Sequence, residues 1–211
     1  MTAKNLLSEA IETTFLSMTE DFHTCIPGQI STFDYKTNTA TVQPMIQKVY
    51  IDGEVLTLDI LSNVPVIFPR TSRSGLTFPL EEGDGVLLCF SERSLELWKG
   101  TNKLSQPGDK RRFDLSDAVA IPGLFGVKQK STASNNTDLE ITHNGFKITI
   151  TKAGKISIKG KNNLDLVGII DEWMTQIQSS LVITGIGLQP FDPTSLAAMG
   201  VIQTKLKEIL V

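Results

Sequence analysis

The sequence predicts a mainly β chain: an OB-like antiparallel barrel, then a stack of short strands that several chains must share, with α-helices at both ends. Three observations carry this reading. Between Cys25 and Gly123 apolar residues alternate with polar ones in short runs broken by turn residues. From Leu139 the alternation resumes with turns every eight to ten residues. Before Glu20 and after Ile169 the apolar spacing changes to three and four, the period of a helix.

The elements follow in order. Leu6, Leu7, Ala10, Ile11, Phe15 and Met18 form one stripe of a leading helix, Asn5 to Glu20, within an amino-terminal segment 1–23. A helix of about four turns is marginal alone, so this stripe needs a partner. Residues 24–126 read as the barrel, with alternating pairs such as Ala40 and Val42, Val64 and Val66, Val86 and Leu88, and Leu95 and Leu97. Pro27-Gly28, Asp52-Gly53, Gly83-Asp84-Gly85 and Pro107-Gly108 punctuate it. Residues 127–137 are rich in Lys, Ser, Thr and Asn and read as a linker.

Residues 138–167 then offer thin apolar faces: Leu139 and Ile141, Phe146, Ile148 and Ile150, Ile156 and Ile158, and a fourth pair, Leu164 and Leu166. Two or three side chains per strand make no core alone. Three copies wound about an axis would bury the faces and pair the edges together, so a homotrimer is expected. Seven lysines between Val127 and Lys161, against Asp138 and Glu140, fall on the outward face, where they oppose edge aggregation or meet an anionic surface. Residues 168–211 read as a helical hairpin. Ile170, Trp173, Ile177 and Leu181 line a first helix opening on Asp171 and Glu172; Asp192-Pro193 starts a second with Leu196, Met199, Ile202 and Leu206.

The composition leans away from enzymes. No phosphate loop, HExxH or GxSxG occurs, and two histidines among 211 residues leave little for metal or acid-base chemistry. Glu81, Glu82, Asp84, Asp114 and Asp117 lie in turn-like segments, a weak basis for a hydrolase. Three His143 copies meeting on an axis would hold an ion, but a histidine at a strand end is the plainer reading. Cys25 and Cys89 lack CxxC spacing and read as buried thiols, with a disulfide framework improbable. A nucleic-acid barrel needs a basic groove, and Cys25 to Ala120 carries ten Lys/Arg against twelve Asp/Glu. Lys110-Arg111-Arg112 is the only concentrated positive run there and reads as a solvated loop. No apolar run approaches the roughly 20 residues of a membrane-spanning helix, and Met1-Thr-Ala-Lys opens no secretory signal, so synthesis and retention in a cytoplasm are expected.

Two stretches carry a family resemblance. They are Thr24 to Asp34 with Thr39 to Ile46, and Phe113 to Leu124 preceded by Gly83 to Arg93. They resemble the central spike proteins of contractile phage tails, whose baseplate-tip members pierce the host envelope. The resemblance implies an OB-fold that docks the tail hub, a short trimeric intertwined β-helix below it, and a virion component at the baseplate tip, assembled in the host cytoplasm. It implies as partners the tail hub and other baseplate proteins and, transiently, the bacterial outer membrane or envelope, with no nucleic acid, no cofactor and no catalytic residue. The leading helix would anchor to the hub. Several spikes of this group end in a His-x-His metal apex; no such triplet occurs here, which favours a helical tip. A tailocin spike shares every one of these features. An OB module for glycan or nucleic acid is the alternative from another class, and a cell-wall hydrolase using Glu81 or Asp84 is a further one.

Overall fold

A computed structural model of the chain describes residues 8–15, 22–50, 53–129, 131–161 and 164–209, the side chains of 183, 184 and 205–209 excepted. Strand outweighs helix, 33% against 24%, so the protein is mainly β, with helices towards both ends. The chain divides into two compact units, Met1–Gln129 and Lys130–Val211. Leu6, Leu7 and Met18 of the leading helix, and the side chain of Leu206, lie outside the described residues. Residues 8–15 are helical (α1), with Ala10, Ile11 and Phe15 exposed.

The first unit is a curled antiparallel half-barrel. Its strands are β1 (Cys25–Asp34), β2 (Thr39–Pro44), β5 (Leu61–Pro65), β6 (Gly85–Phe90) and β7 (Ala118–Pro122), in the order β5-β2-β1-β6-β7. A small hairpin of β3 (Lys48–Val49) and β4 (Val55–Leu56) stands apart. Beyond β5, Val66 bridges Ala120 in parallel and the Ile67 amide donates to the Ala120 carbonyl at 2.9 Å, drawing the two outer strands together in the OB manner. Two bulges supply the curl. Ser31 is the extra residue of β1 opposite Thr41 and Val42, and an extra residue in β5 falls where Asn63 takes a left-handed φ of 54°.

Strict alternation puts one side of each strand inside. Ile30, Ala40, Val42, Val64, Val66, Phe68, Val86, Leu88, Phe90, Ala118 and Ala120 form the buried core. Phe68 meets Phe33 and Phe78 edge-on, with ring centroids 6.2 and 5.0 Å apart. Two glycines permit close approach, Gly28 by core side chains and Gly85 by another stretch of backbone. A Cβ on Gly28 would sit 2.7 Å from Val42 Cγ1, and one on Gly85 would sit 1.9 Å from the Leu124 carbonyl oxygen. The Asn38 amide donates to the Val66 carbonyl at 2.6 Å, so the β1–β2 turn holds the residue that bridges the outer strands.

Three expectations for this unit need correction. Leu95 and Leu97 are not a strand: Glu96–Thr101 is a short helix, α2, with Leu95 at its N-cap position. Its start is held by Asp117, whose carboxylate accepts the Leu95 amide at 2.8 Å, a tertiary contact no local pattern encodes. Arg111 is not a solvated cation. Its Nε and Nη2 reach the two oxygens of Asp117, a carboxylate only 1% exposed as a residue, at 2.6 and 3.2 Å. Asp109 and Glu96 flank the guanidinium, and only Lys110 and Arg112 of the basic run stay exposed. Burial pushes the Asp117 pKa up, but the Arg111 and Leu95 hydrogen bonds, with the charges of Arg111 and Lys99, outweigh it and hold the carboxyl below its ordinary range. Cys25, finally, is exposed and lies directly opposite Cys89 in the β1–β6 ladder, the two sulfurs 3.2 Å apart as free thiols. The Cys89 thiol is pushed up to about 11, by burial first and then by Cys25.

In the second unit, β8 (Leu139–His143), β9 (Phe146–Ile150) and β10 (Ile156–Lys159) form one sheet, followed by α3 (Leu166–Ser179), the β11 (Leu181–Thr184) and β12 (Gly187–Pro190) hairpin, and α4 (Pro193–Ile209). The fourth strand expected at Leu164 and Leu166 is reduced to a single antiparallel bridge, Asp165 to Lys159: Leu164 lies in a connection and Leu166 opens α3, because Asp165 caps that helix by accepting the Val167 amide at 3.1 Å. Asp171 and Glu172 therefore sit past the opening turn. Leu181 belongs to β11, not to a tip helix; Val182 and Ile183 prefer extended backbone, and Gly187, at φ 112°, allows the turn that makes a hairpin of the expected helix break. The Asp192-Pro193 start is as read, with Asp192 accepting the Ser195 amide at 2.9 Å. Ile170, Ile177, Leu196 and Met199 are partly covered, whereas Trp173 and Ile202 are 66% and 58% exposed. Gln203 meets Gln178 and Asp171 between the two helices.

Truncating Leu88 to Ala should cost about 2–5 kcal/mol in urea unfolding, and Gly85→Ala should cost about 1–3 kcal/mol because backbone must move. Arg111→Gln should cost about 3 kcal/mol by stranding the buried Asp117 carboxylate. The depressed Asp117 pKa stabilises the fold above the ordinary aspartate value of about 3.9 and is lost as pH falls through the lower folded value. Wild-type stability, followed by urea unfolding at stepped pH, should therefore decline below about pH 4 more steeply than that of Arg111→Gln.

Candidate assembly surface

The β8–β10 sheet is built by two tight turns. Asn144 and Gly145, at φ 46° and 85°, make a two-residue turn of the primed type between β8 and β9. Thr151 to Lys155 closes the second, with the Thr151 amide donating to the Lys155 carbonyl at 2.8 Å. The register then sorts every side chain. Leu139, Ile150 and Ile156 stand in one row, Ile141, Ile148 and Ile158 in the next, and His143 opposite Phe146 in a third. Directly opposed residues point to the same side, so all of these share one face.

The other face is polar and is the covered one. Residues 131–138, expected as a bare linker, fold against it. The Ser134 amide donates to Glu140 Oε2 at 2.8 Å, and Lys147 Nζ lies 3.3 Å from Glu140 Oε1 and also donates to the Ser134 hydroxyl. Asp138 accepts the Lys152 amide at 2.9 Å, and Ser157 is buried. Both carboxyls are held below their ordinary range: Glu140 by the Ser134 amide first, against opposing desolvation, and then by Lys147; Asp138 by the Lys152 amide first. Lys147 is thus an internal partner rather than one of an outward row of free lysines.

The apolar face is left open. Leu139, Ile141, Phe146 and Ile150 are 61%, 48%, 45% and 43% exposed, while Ile148, Ile156 and Ile158 are half-buried. Fully covering a side chain of this size is worth roughly 1.5–3 kcal/mol, so each chain leaves several kcal/mol unrealised on this face. The sheet order β10-β9-β8 also leaves the outer edge of β8 without a strand partner among the described residues, and the outer edge of β10 is met only at its end, where Lys159 bridges Asp165. Leu164 and Leu166, 61% and 43% exposed, lie beyond these rows.

The other candidate chemistry resolves into structure. The Glu81 amide donates to Asp84 Oδ2 at 2.8 Å, a turn, and Asp114 accepts the Ser116 amide at 2.8 Å, a cap. His143 is exposed at the end of β8 and His23 packs on Phe90 with ring centroids 5.6 Å apart. Among the described residues no group of three or more His, Cys, Asp or Glu is placed to hold a metal ion, and no helix is long and apolar enough to cross a membrane. Sequence reading missed the Arg111–Asp117 pair and the Ser134–Glu140 clasp; the one local signal was that both carboxylates lie within seven residues of their cation, Asp117 of Arg111 and Glu140 of Lys147.

Residues 26–123 match the family described as phage protein Gp138 N-terminal domain. The matched span runs from β1 to just past β7 and so takes in the whole half-barrel. It supports a phage structural protein and a virion component. No curated protein matches the chain.

The clasp is testable by acid titration. The depressed Glu140 pKa makes the clasp stabilising above the ordinary value of 4.5 and lost as pH falls through the lower folded one. The Ser134 amide proton shift in an NMR titration should move with a midpoint below 4.5 in wild type and stay flat in Glu140→Gln. A midpoint at or above that value contradicts the clasp.

Proposed function

We propose that this protein is the central spike of a contractile phage tail, a homotrimer that caps the tail hub and punctures the bacterial envelope when the sheath contracts. The observation that carries the reading is the open apolar face of the β8–β10 sheet, bordered by the unpaired outer edge of β8 and a β10 edge met only at its end by Asp165, and joined in the same chain to a half-barrel similar to a phage domain. Three such sheets wound about an axis bury the Ile141, Ile148 and Ile158 row and pair their edges in one step, giving an intertwined β-helix shaft. Load on that shaft is resisted because bending it exposes apolar surface and backbone hydrogen-bonding groups together. The barrel docks the hub, α1 with Ile11 and Phe15 anchors it, and the α3–α4 unit, with Trp173 and Ile202 outward, forms the tip that meets the envelope transiently. The chain's part is mechanical, with no bond made or broken and no cofactor. The same geometry serves a tailocin spike equally well.

Light scattering at micromolar concentration should give three times the 23.1 kDa chain mass. The double variant Ile141→Lys, Ile150→Lys should give a monomer whose barrel still unfolds cooperatively. A monomeric wild type overturns the shaft. Antibody labelling of phage particles should mark the tail tip, and a label confined to the capsid overturns the spike.

A further inference from the structure

The first unit carries a cleft of about 520 Å3 that the assembly reading does not use, at the rim where the β1–β2 turn, the β5 bulge and α2 converge. Its size is that of a small-ligand site. Three asparagines line it, Asn38, Asn63 and Asn102, and all three are left-handed, at φ 57°, 54° and 50°. Each marks a different irregularity: a turn, a bulge and a helix end. Asn and Gly are the residues that tolerate this backbone, and asparagine rather than glycine at all three leaves three short amides among the lining. The Asn38 amide nitrogen is engaged with Val66, but its oxygen remains an acceptor, and the Asn63 and Asn102 side chains make no hydrogen bond among the described residues.

Besides threonine and apolar residues, among them the buried Phe68, the cleft is lined by one exposed aromatic and two cations. Trp98 is 46% exposed, Lys99 reaches the Ser116 carbonyl at 3.3 Å, and the Arg70 guanidinium has no ion pair among the described residues. No carboxylate lines the cleft, although acidic residues outnumber basic ones across the barrel as a whole.

We infer that this cleft binds an anionic saccharide. Amides that both donate and accept match sugar hydroxyls, the indole face packs on the apolar face of a pyranose ring, and the Arg70 fork takes a carboxylate in two hydrogen bonds. A single-stranded nucleic acid fits less well, since it calls for several stacking aromatics along a basic track, and here one exposed indole lies on an acidic barrel. The inference is independent of the spike reading and stands whether the chain is monomer or trimer.

The test uses the full chain with Trp173→Phe, which leaves Trp98 as the only indole. Tetragalacturonate should quench or shift its emission saturably. A neutral galactose tetramer should bind at least about tenfold more weakly, and Arg70→Gln should lose about tenfold or more, as expected for a charged hydrogen bond. Asn102→Gly keeps the left-handed backbone, removes the amide and should also weaken binding. No saturation by about 10 mM, the affinity floor of a weak site, overturns the inference. So does equal binding of the neutral tetramer, tighter binding of an oligothymidylate, or indifference to both Arg70→Gln and Asn102→Gly.

Discussion

A three-stranded sheet has two faces, and in this protein the polar one is covered by the chain itself while the apolar one is not. The Ser134 amide, Glu140 and Lys147 satisfy one another over the polar side, which leaves Leu139, Ile141, Phe146 and Ile150 with no cover of their own. Water does not tolerate such a surface for long on a marginal sheet, because the stability of so few strands rests on what lies against them. The sheet therefore keeps one apolar face that its own chain does not fully cover. The proposed trimer follows from that imbalance.

The half-barrel answers a different demand. Its core is complete within one chain, from Ile30 to Ala120; two bulges supply its curl, and Gly28 and Gly85 leave room where a core side chain and a backbone carbonyl approach closely. The long β6–β7 connection has no core of its own. It is pinned instead by the Arg111–Asp117 pair, which starts α2 by way of the Leu95 amide and positions Trp98 and Asn102 at the rim cleft. Burying a carboxylate is costly unless its charge and lone pairs are met. Asp117 is met by three donors, so the cost becomes a constraint on where the loop can lie.

Much was legible in order along the chain. Alternation marked β2, β6, β8, β9 and β10, because a strand with one buried face writes period two into its residues. Asn144-Gly145 and Asp192-Pro193 announced a turn and a helix start through backbone preferences that are local. What misled was equally physical. Leu95 and Leu97 alternate as strand residues do, yet six residues of helix are held there by a distant carboxylate. Leu164 and Leu166 continue the strand rhythm until Asp165 caps a helix across it. Leu181 closed a helical stripe on paper but, followed by the β-branched Val182 and Ile183, lies in a hairpin strand.

The sequence alone determined which residues are apolar, at what period, and where glycine, asparagine and proline bend the chain; these are properties of single residues and near neighbours. From them came the β class, an OB-like barrel, the thin sheet and the helical ends. Tertiary structure decided which charges are partners and which face is left open. Arg111 and Asp117, or Ser134 and Glu140, acquire their roles only when the fold brings them to hydrogen-bonding distance, and that distance is set by the packing of elements between which no local pattern runs.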